Sequence, residues 1–223
     1  MASSLVVVCT RYNNQTWKEY QQWKWANQEI YEQIYKRPLK CIYGSPREIA
    51  SRKIKPNSKM CIIEMHNDCN KIMGIGIIEN RTANEVYRSK QPQHPNTTSS
   101  VVAPVLPIPA IPAIPAIPAP IKYKIFTERN YNRYIYIGNE YYLSREEIER
   151  YIEPQPQPQP QPQPDTEDKS LLETITALEA MLFKGSRHCK RGSGISKIPN
   201  WIIEEGHTKI IEMYIQRISA QSP

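Results

Sequence analysis

The sequence predicts an α+β fold: a small mixed, partly closed sheet with peripheral helices and two proline-rich insertions that stay disordered. Three observations predict it. Apolar runs short enough for strands interleave with helical patterns. Residues typical of helix starts stand at the heads of those patterns. Residues 91–120 and 154–164 are low in complexity, which leaves roughly 180 residues for packing, enough for one ordinary core.

The chain opens on Ser4–Thr10, Ser-Leu-Val-Val-Val-Cys-Thr, a continuous apolar run closed by a polar Arg-Tyr-Asn-Asn turn. That pattern fits a central strand buried on both faces. Thr16-Trp17-Lys18-Glu19 is a capping box with Thr16 as N-cap, so a helix should run from there to about Lys36 and stop before Pro38. Tyr20, Trp23, Asn27, Ile30 and Ile34 fall on one stripe, with Trp17 at its start and Trp25 off it. Such a stripe is core, or a wall on which bases stack.

Leu39–Tyr43 reads as a second strand, and Ser45-Pro46-Arg47-Glu48 as a capping box that opens a short helix carrying Arg47, Arg52 and Lys53. Lys55–Ser58 is a turn. Lys59–Met65 and Lys71–Asn80 form a hairpin around the polar residues His66–Asn70. Gly74 and Gly76 lack the third glycine and the following helix of a phosphate loop, so they mark a close backbone approach or a bend. Lys122–Thr127 and Arg133–Ile137 are expected strands in a tyrosine-rich stretch. Ser144-Arg145-Glu146-Glu147 caps a helix ending before Pro154. A further helix runs from about Ser170 through Leu171, Leu172, Ile175, Leu178 and Leu182, with Gly185 as its C′ residue. Pro199 and Trp201 precede a last helix holding Ile210 to Ile218.

The insertions differ in kind. Residues 91–120 are Pro/Ser/Thr-rich and end in three Ile-Pro-Ala repeats, and residues 154–164 repeat Pro-Gln. Both favour extended polyproline II and block helix and sheet. They are stiff spacers, or docking arms for a protein partner.

Net charge is +7 over 223 residues, and its distribution carries more than its size. Residues 1–90 hold 15 Lys and Arg against 8 acids, whereas residues 165–223 hold 8 of each. Within that neutral segment, 184–197 has five cations and no acid. Lys184, Gly185, Arg187, His188, Lys190, Arg191, Gly192 and Gly194 make a glycine-rich basic loop between helices. The cations suit phosphates, the glycines let backbone approach closely, and His188 could hydrogen-bond or stack on a base. Arg47, Arg52 and Lys53 would extend that surface. The expected ligand is nucleic acid.

Other chemistries are thinner. His188 beside Lys190 and Arg191 could act on a phosphodiester, but no second acid/base of matching sharpness appears; Glu64, His66 and Asp68 form the nearest compact polar set. Cys61-x4-His66-x2-Cys69 has metal donors without a paired Cys-x-x-Cys. No catalytic residue, metal or cofactor is therefore assigned. The alternative readings are a phosphodiester-acting enzyme using His188, or a scaffold whose proline-rich segments bind protein. Five irregularly spaced cysteines, no signal pattern and no apolar run near a membrane span point to free thiols in an intracellular reducing compartment, cytoplasm or nucleus.

The opening strand, the early helix, the Ser-Pro-Arg-Glu turn and the strand Lys-Ile-Met-Gly-Ile-Gly-Ile-Ile-Glu-Asn resemble the PUA-like superfamily, which includes the EVE, YTH and ASCH domains. The segment Leu-Phe-Lys-Gly-Ser-Arg-His-Cys-Lys-Arg-Gly-Ser-Gly-Ile is similar to a segment in proteins of large DNA viruses, which would place the protein in an infected host cell. The resemblance implies a PUA-like core in 1–90 and 121–153, linkers at 91–120 and 154–167, and a helical C-terminal part, 168–223, packing on that core. It further implies a small, partly closed, curved β-barrel that binds RNA or modified bases without catalysis, RNA being favoured over DNA. Neither the aromatic cage of modified-base readers nor the ASCH Gly-x-Lys-x-x-Glu signature can be placed, so no cage residue is carried over.

Overall fold

A computed structural model describes residues 6–49, 54–90, 123–140, 142–152, 166–185 and 188–204. Both proline-rich segments, Arg52, Lys53, Arg187 and the expected helix over Ile210 to Ile218 lie outside them. The architecture is mixed α+β. Among the described residues, seven strands and five α-helices are ordered β1 (Val6–Tyr12), α1 (Asn14–Tyr35), β2 (Cys41–Ser45), β3 (Lys59–His66), β4 (Lys71–Glu79), α2 (Ala83–Lys90), β5 (Tyr134–Gly138), β6 (Tyr142–Ser144), α3 (Arg145–Ile152), α4 (Thr166–Phe183), β7 (Ser196–Lys197) and α5 (Asn200–Glu204).

Five strands form one mixed sheet in the order β6-β4-β3-β1-β7, and β2 pairs with β5 in a separate ribbon. β1 runs parallel to β3, from Val6 opposite Met60 to Tyr12 opposite His66, and every other pair is antiparallel. The two innermost strands are nearly free of polar alternation because both their faces are covered. Cys61, Ile63 and Met65 of β3 pack with α4 residues Ile175, Leu178 and Leu182. Met60 and Ile62 point the other way, against Cys41, Tyr43 and Tyr136 of the ribbon. Beyond Ile62 the same face carries Glu64. A third cluster joins Tyr12 to Tyr20, Tyr31 and Tyr35 of α1 and to Phe126.

Glycine sets how closely the ribbon approaches β4. A side chain at Gly76 would collide with the Tyr43 hydroxyl and the Cys41 sulfur, and one at Gly138 with the Ile77 carbonyl. A bridge between Thr82 and Tyr136 ties the ribbon to the chain leaving β4.

Several elements differ from the sequence expectation for identifiable reasons. The N-cap of α1 is Asn13, not Thr16: its side chain accepts from Thr16 N at 2.8 Å, and Thr16 Oγ1 accepts from Asn13 N at 3.0 Å. Glu19 is thereby released to bind Thr127 Oγ1 at 2.6 Å. The buried stripe of α1 is Tyr20, Tyr31 and Tyr35, whereas Ile30 is 48% exposed. Residues 46–49 are not helical. Ser45 still pairs with Tyr134 in the ribbon, and its hydroxyl donates to the Arg47 carbonyl at 2.6 Å, which makes a local turn. Residues 123–126 are not a strand, because the Asn132 side chain takes their backbone groups: its Oδ1 accepts from Ile125 N and Phe126 N at 2.8 and 2.9 Å, and its Nδ2 donates to Phe126 O at 2.6 Å. The Ser144 box does cap α3, with Glu147 Oε2 accepting from Ser144 N at 2.7 Å. A like box, Thr82 with Glu85, caps α2 and is absent from the sequence reading.

Candidate nucleic-acid interface

The basic loop is built from its anchors upward. α4 ends at Phe183, and Gly185 follows at φ +78°, the left-handed position that stops a helix cheaply. Cys189 N then donates back to Leu182 O at 2.7 Å, and the Cys189 side chain is buried in the α4 face of the core. β7 follows, pairing Ser196 with Cys9 and Lys197 with Val8. From Cys189 on, the loop is thus pinned to α4 at one end and to the central sheet at the other.

Between those ends, two side chains of the sheet hold its backbone. Arg11 of β1 donates through Nε to the Cys189 carbonyl and through Nη1 to Ser196 Oγ at 2.8 Å. Asn67, in the β3–β4 turn, donates through Nδ2 to the Lys190 carbonyl at 3.0 Å. Gly192, at φ +121°, lies against the Arg11 guanidinium. Gly194, at φ +66°, is buried against Ser45 and Pro46, where any side chain would collide. That contact brings the loop within two residues of Arg47.

The result is a loop ordered by neutral carbonyls, so its cations are not consumed in holding it. Among the described residues, no carboxylate lies within ion-pair distance of Lys184, Lys190, Arg191, Lys197, Arg47 or Arg11. Lys184, Arg191, Lys197 and Arg47 are exposed, while Lys190 and His188 are half-buried. His188 Nδ1 is shielded from solvent and has no hydrogen-bond partner. Gly185 stands apart from the rest: nothing lies within 4 Å of where its side chain would be.

Beside the loop is a cavity of about 140 Å³, walled by Arg11, Tyr12, Asn67, Phe126, Tyr131 and Gly192. Its rings form a chain, Tyr12 to Phe126 at 6.5 Å and Phe126 to Tyr131 edge-on at 5.8 Å between centroids. Glu128 is the single carboxylate among its described lining residues. Burial raises the Tyr131 phenol above its ordinary value, and the Arg11 charge partly offsets the shift. Arg11 in the wall, the basic loop beside it and the aromatic rings within can hold a phosphate and a flat ring together. Sequence reasoning missed Arg11, Tyr12, Asn67, Phe126 and Tyr131 here, since four separate chain segments supply them.

The other polar constellations fall differently. Cys61 lies in the α4-facing core, and His66 projects from the opposite face, edge-on to Trp17 at 6.1 Å. They cannot share a metal, and among the described residues no group of three or more His, Cys, Asp or Glu is placed to hold one. Glu64, His66 and Asp68 do not converge either. Asp68 accepts from Asn14 N at 2.8 Å outside the core, whereas Glu64 is fully buried inside it.

Glu64 accepts from Tyr142 hydroxyl at 2.8 Å and from Tyr20 hydroxyl at 3.2 Å. The Tyr43 hydroxyl is close by without a hydrogen bond of ordinary geometry. Gly74 makes the room, since a side chain there would strike both Tyr142 and Glu64. Burial pushes the carboxyl above the usual range, and the tyrosine hydroxyls and Lys24 partly offset this. Lys24 Nζ sits 4.2 Å from the Tyr142 ring centroid, and desolvation lowers its pKa against the opposing pull of Glu64.

Among the described residues, no helix is long and apolar enough to cross a membrane. Comparison of the chain with protein-family models, with curated proteins and with solved structures gives no match.

Proposed function

We propose that the protein binds nucleic acid without catalysis, RNA in preference to DNA, with phosphates on the 184–197 loop and a base in the adjoining cavity. The observation that carries this reading is that Lys184, Lys190, Arg191 and Lys197 have no carboxylate within ion-pair distance among the described residues. Lys190 and Arg191 stand on a backbone held by Arg11 and Asn67 through neutral carbonyls, and Lys184 on the end of α4, so their charge remains for a polyanion.

The cavity supports the second half. At about 140 Å³ it is close to the roughly 150 Å³ that accommodates a benzene-sized ring, and half-buried Tyr131 in its wall offers a ring to stack on. The preference for RNA and the reading of a modified base rest on the PUA-like resemblance, as does a partly closed barrel. The Thr82–Tyr136 bridge, which folds the ribbon over β4, supports that barrel.

The test is fluorescence anisotropy with labelled RNA and DNA single strands and duplexes, with gel analysis of the recovered probe. Binding to single-stranded RNA, weakened by salt, with the probe recovered intact is the expected result. Probe cleavage abolished by His188→Ala would replace this reading with an enzyme. Absence of binding to every probe would remove it.

A further inference from the structure

A second opening lies further along α1 from the cavity beside the basic loop. Thr16 lines the first, and Trp17, the next residue, lines the second. This second groove, about 520 Å³, lies between α1 and the start of α3, with Tyr20, Lys24, Trp25, Met73 and Tyr142 among its walls. Its floor is polar underneath: Tyr20 and Tyr142 are the two hydroxyls that satisfy Glu64. Met73 is the residue skipped where the β3–β4 register shifts, Met65 pairing with Ile72 while Glu64 pairs with Gly74.

Two residues mark the groove as a site. Trp25 is 86% exposed, on a helix whose other large rings are packed: Trp17 contacts Tyr12 and Tyr20, and Trp23 contacts Tyr123. A tryptophan held out of the core costs apolar burial and offers a flat face for stacking. Lys24, its neighbour, is half-buried over the Tyr142 ring, and no carboxylate among the described residues lies within ion-pair distance. A partly desolvated cation fixed in place favours an anion beside it. A ring and an anion side by side are what one nucleotide presents. Asn13, at the head of α1, also lines the first cavity, and twelve residues of helix separate it from Trp25, about 18 Å at the usual rise.

We propose that a single strand seated on the basic loop continues along α1 and places a second nucleotide in this groove, its base on Trp25 and its phosphate on Lys24. This rests on the nucleic-acid reading above and adds the path and strandedness of the ligand. A duplex keeps its bases stacked on one another, so Trp25 selects single strands.

The experiment measures affinity for a labelled ten-nucleotide oligouridine and its salt dependence, with melting temperature followed in parallel. Trp25→Ala should weaken binding about tenfold, in the range for loss of one base-stacking ring, and Trp25→Phe should restore most of it. Lys24→Gln should reduce the slope of log affinity against log salt by about 0.7. If the wild type binds and loop variants abolish binding while Trp25→Ala and Lys24→Gln leave affinity and slope unchanged, the groove proposal fails and the loop reading stands. If the wild type binds no oligonucleotide, both fail. A lowered melting temperature for Trp25→Ala with unchanged affinity would mean that protein covers the groove, and would also overturn the proposal.

Discussion

The basic loop and the Glu64 cluster both hold ionisable groups that form no ion pair among the described residues, and they treat the charge in opposite ways. Lys184, Arg191 and Lys197 stand exposed, and hydrogen bonds from Arg11 and Asn67 to the loop's carbonyls fix its backbone. Glu64 is fully enclosed, and tyrosine hydroxyls supply its hydrogen bonds while burial favours its neutral form. A third region shows the ordinary arrangement. Arg145 at the head of α3 pairs with Glu179 at 2.7 Å and Glu149 at 2.8 Å, and Lys71 shares Glu179 at 3.3 Å. Charge is spent on structure at that corner, suppressed by burial at Glu64 and left available on the loop. Substitutions in the first two regions should therefore alter stability, and those in the loop should alter binding.

The largest effect is expected under the ribbon. Gly76→Val drives a side chain into Tyr43 and Cys41 and should cost about 3 kcal/mol, the upper range for overpacking, read by urea denaturation. Glu64→Ala leaves the Tyr20 and Tyr142 hydroxyls unpartnered and should cost about 2 kcal/mol without changing affinity in the folded protein.

Glu64→Gln separates charge from shape. A carboxyl raised by burial stays protonated in the folded protein at pH values where the unfolded chain, near the ordinary value of about 4.3, has released its proton. Its favourable contribution is present below that value and lost as pH rises through the raised folded value. Relative to wild type, Glu64→Gln should therefore gain stability as pH is raised from about 4 through that window. A stability difference independent of pH would show that Glu64 is not neutral when folded.

Smaller effects test the loop's supports. Arg11→Ala removes two bonds to the loop and should cost about 1 kcal/mol of stability, with a clear loss of affinity because the cations are no longer held together. Arg145→Ala should lower stability by about 1 kcal/mol through its pair with Glu179 and, since Arg145 also lines the second groove, weaken binding much less than Arg11→Ala. If Arg145→Ala weakened binding as much as Arg11→Ala, the distinction between the two regions would collapse.

How much of this was legible follows from what each residue depends on. The Ser144 box, the apolar β1 and the β3–β4 hairpin are local patterns, and the sequence reads them within a few residues. β6 and β7 are three and two residues long, and only pairing with distant strands makes them strands. The stretch around Ile125 looks extended and apolar, yet the Asn132 side chain captures its backbone. The loop's charge and glycines were visible in the chain. Its anchoring was not, because Arg11 and Asn67 lie more than 120 residues away. Gly74 and Gly76 were read as a close approach, and the structure identifies what approaches: Tyr142, Glu64, Tyr43 and Cys41.

The central claim is that the loop's cations are reserved for a polyanion, and salt dependence tests it most directly. Affinity for single-stranded RNA should be measured from low to moderate salt for wild type and for Arg187→Ala, Lys190→Ala and Arg191→Ala combined. The account predicts a slope shallower by about 2 in the triple variant, from three lost phosphate contacts at about 0.7 each, with an unchanged melting temperature. An unchanged slope, or a fall in melting temperature that explains the weaker binding, would contradict it.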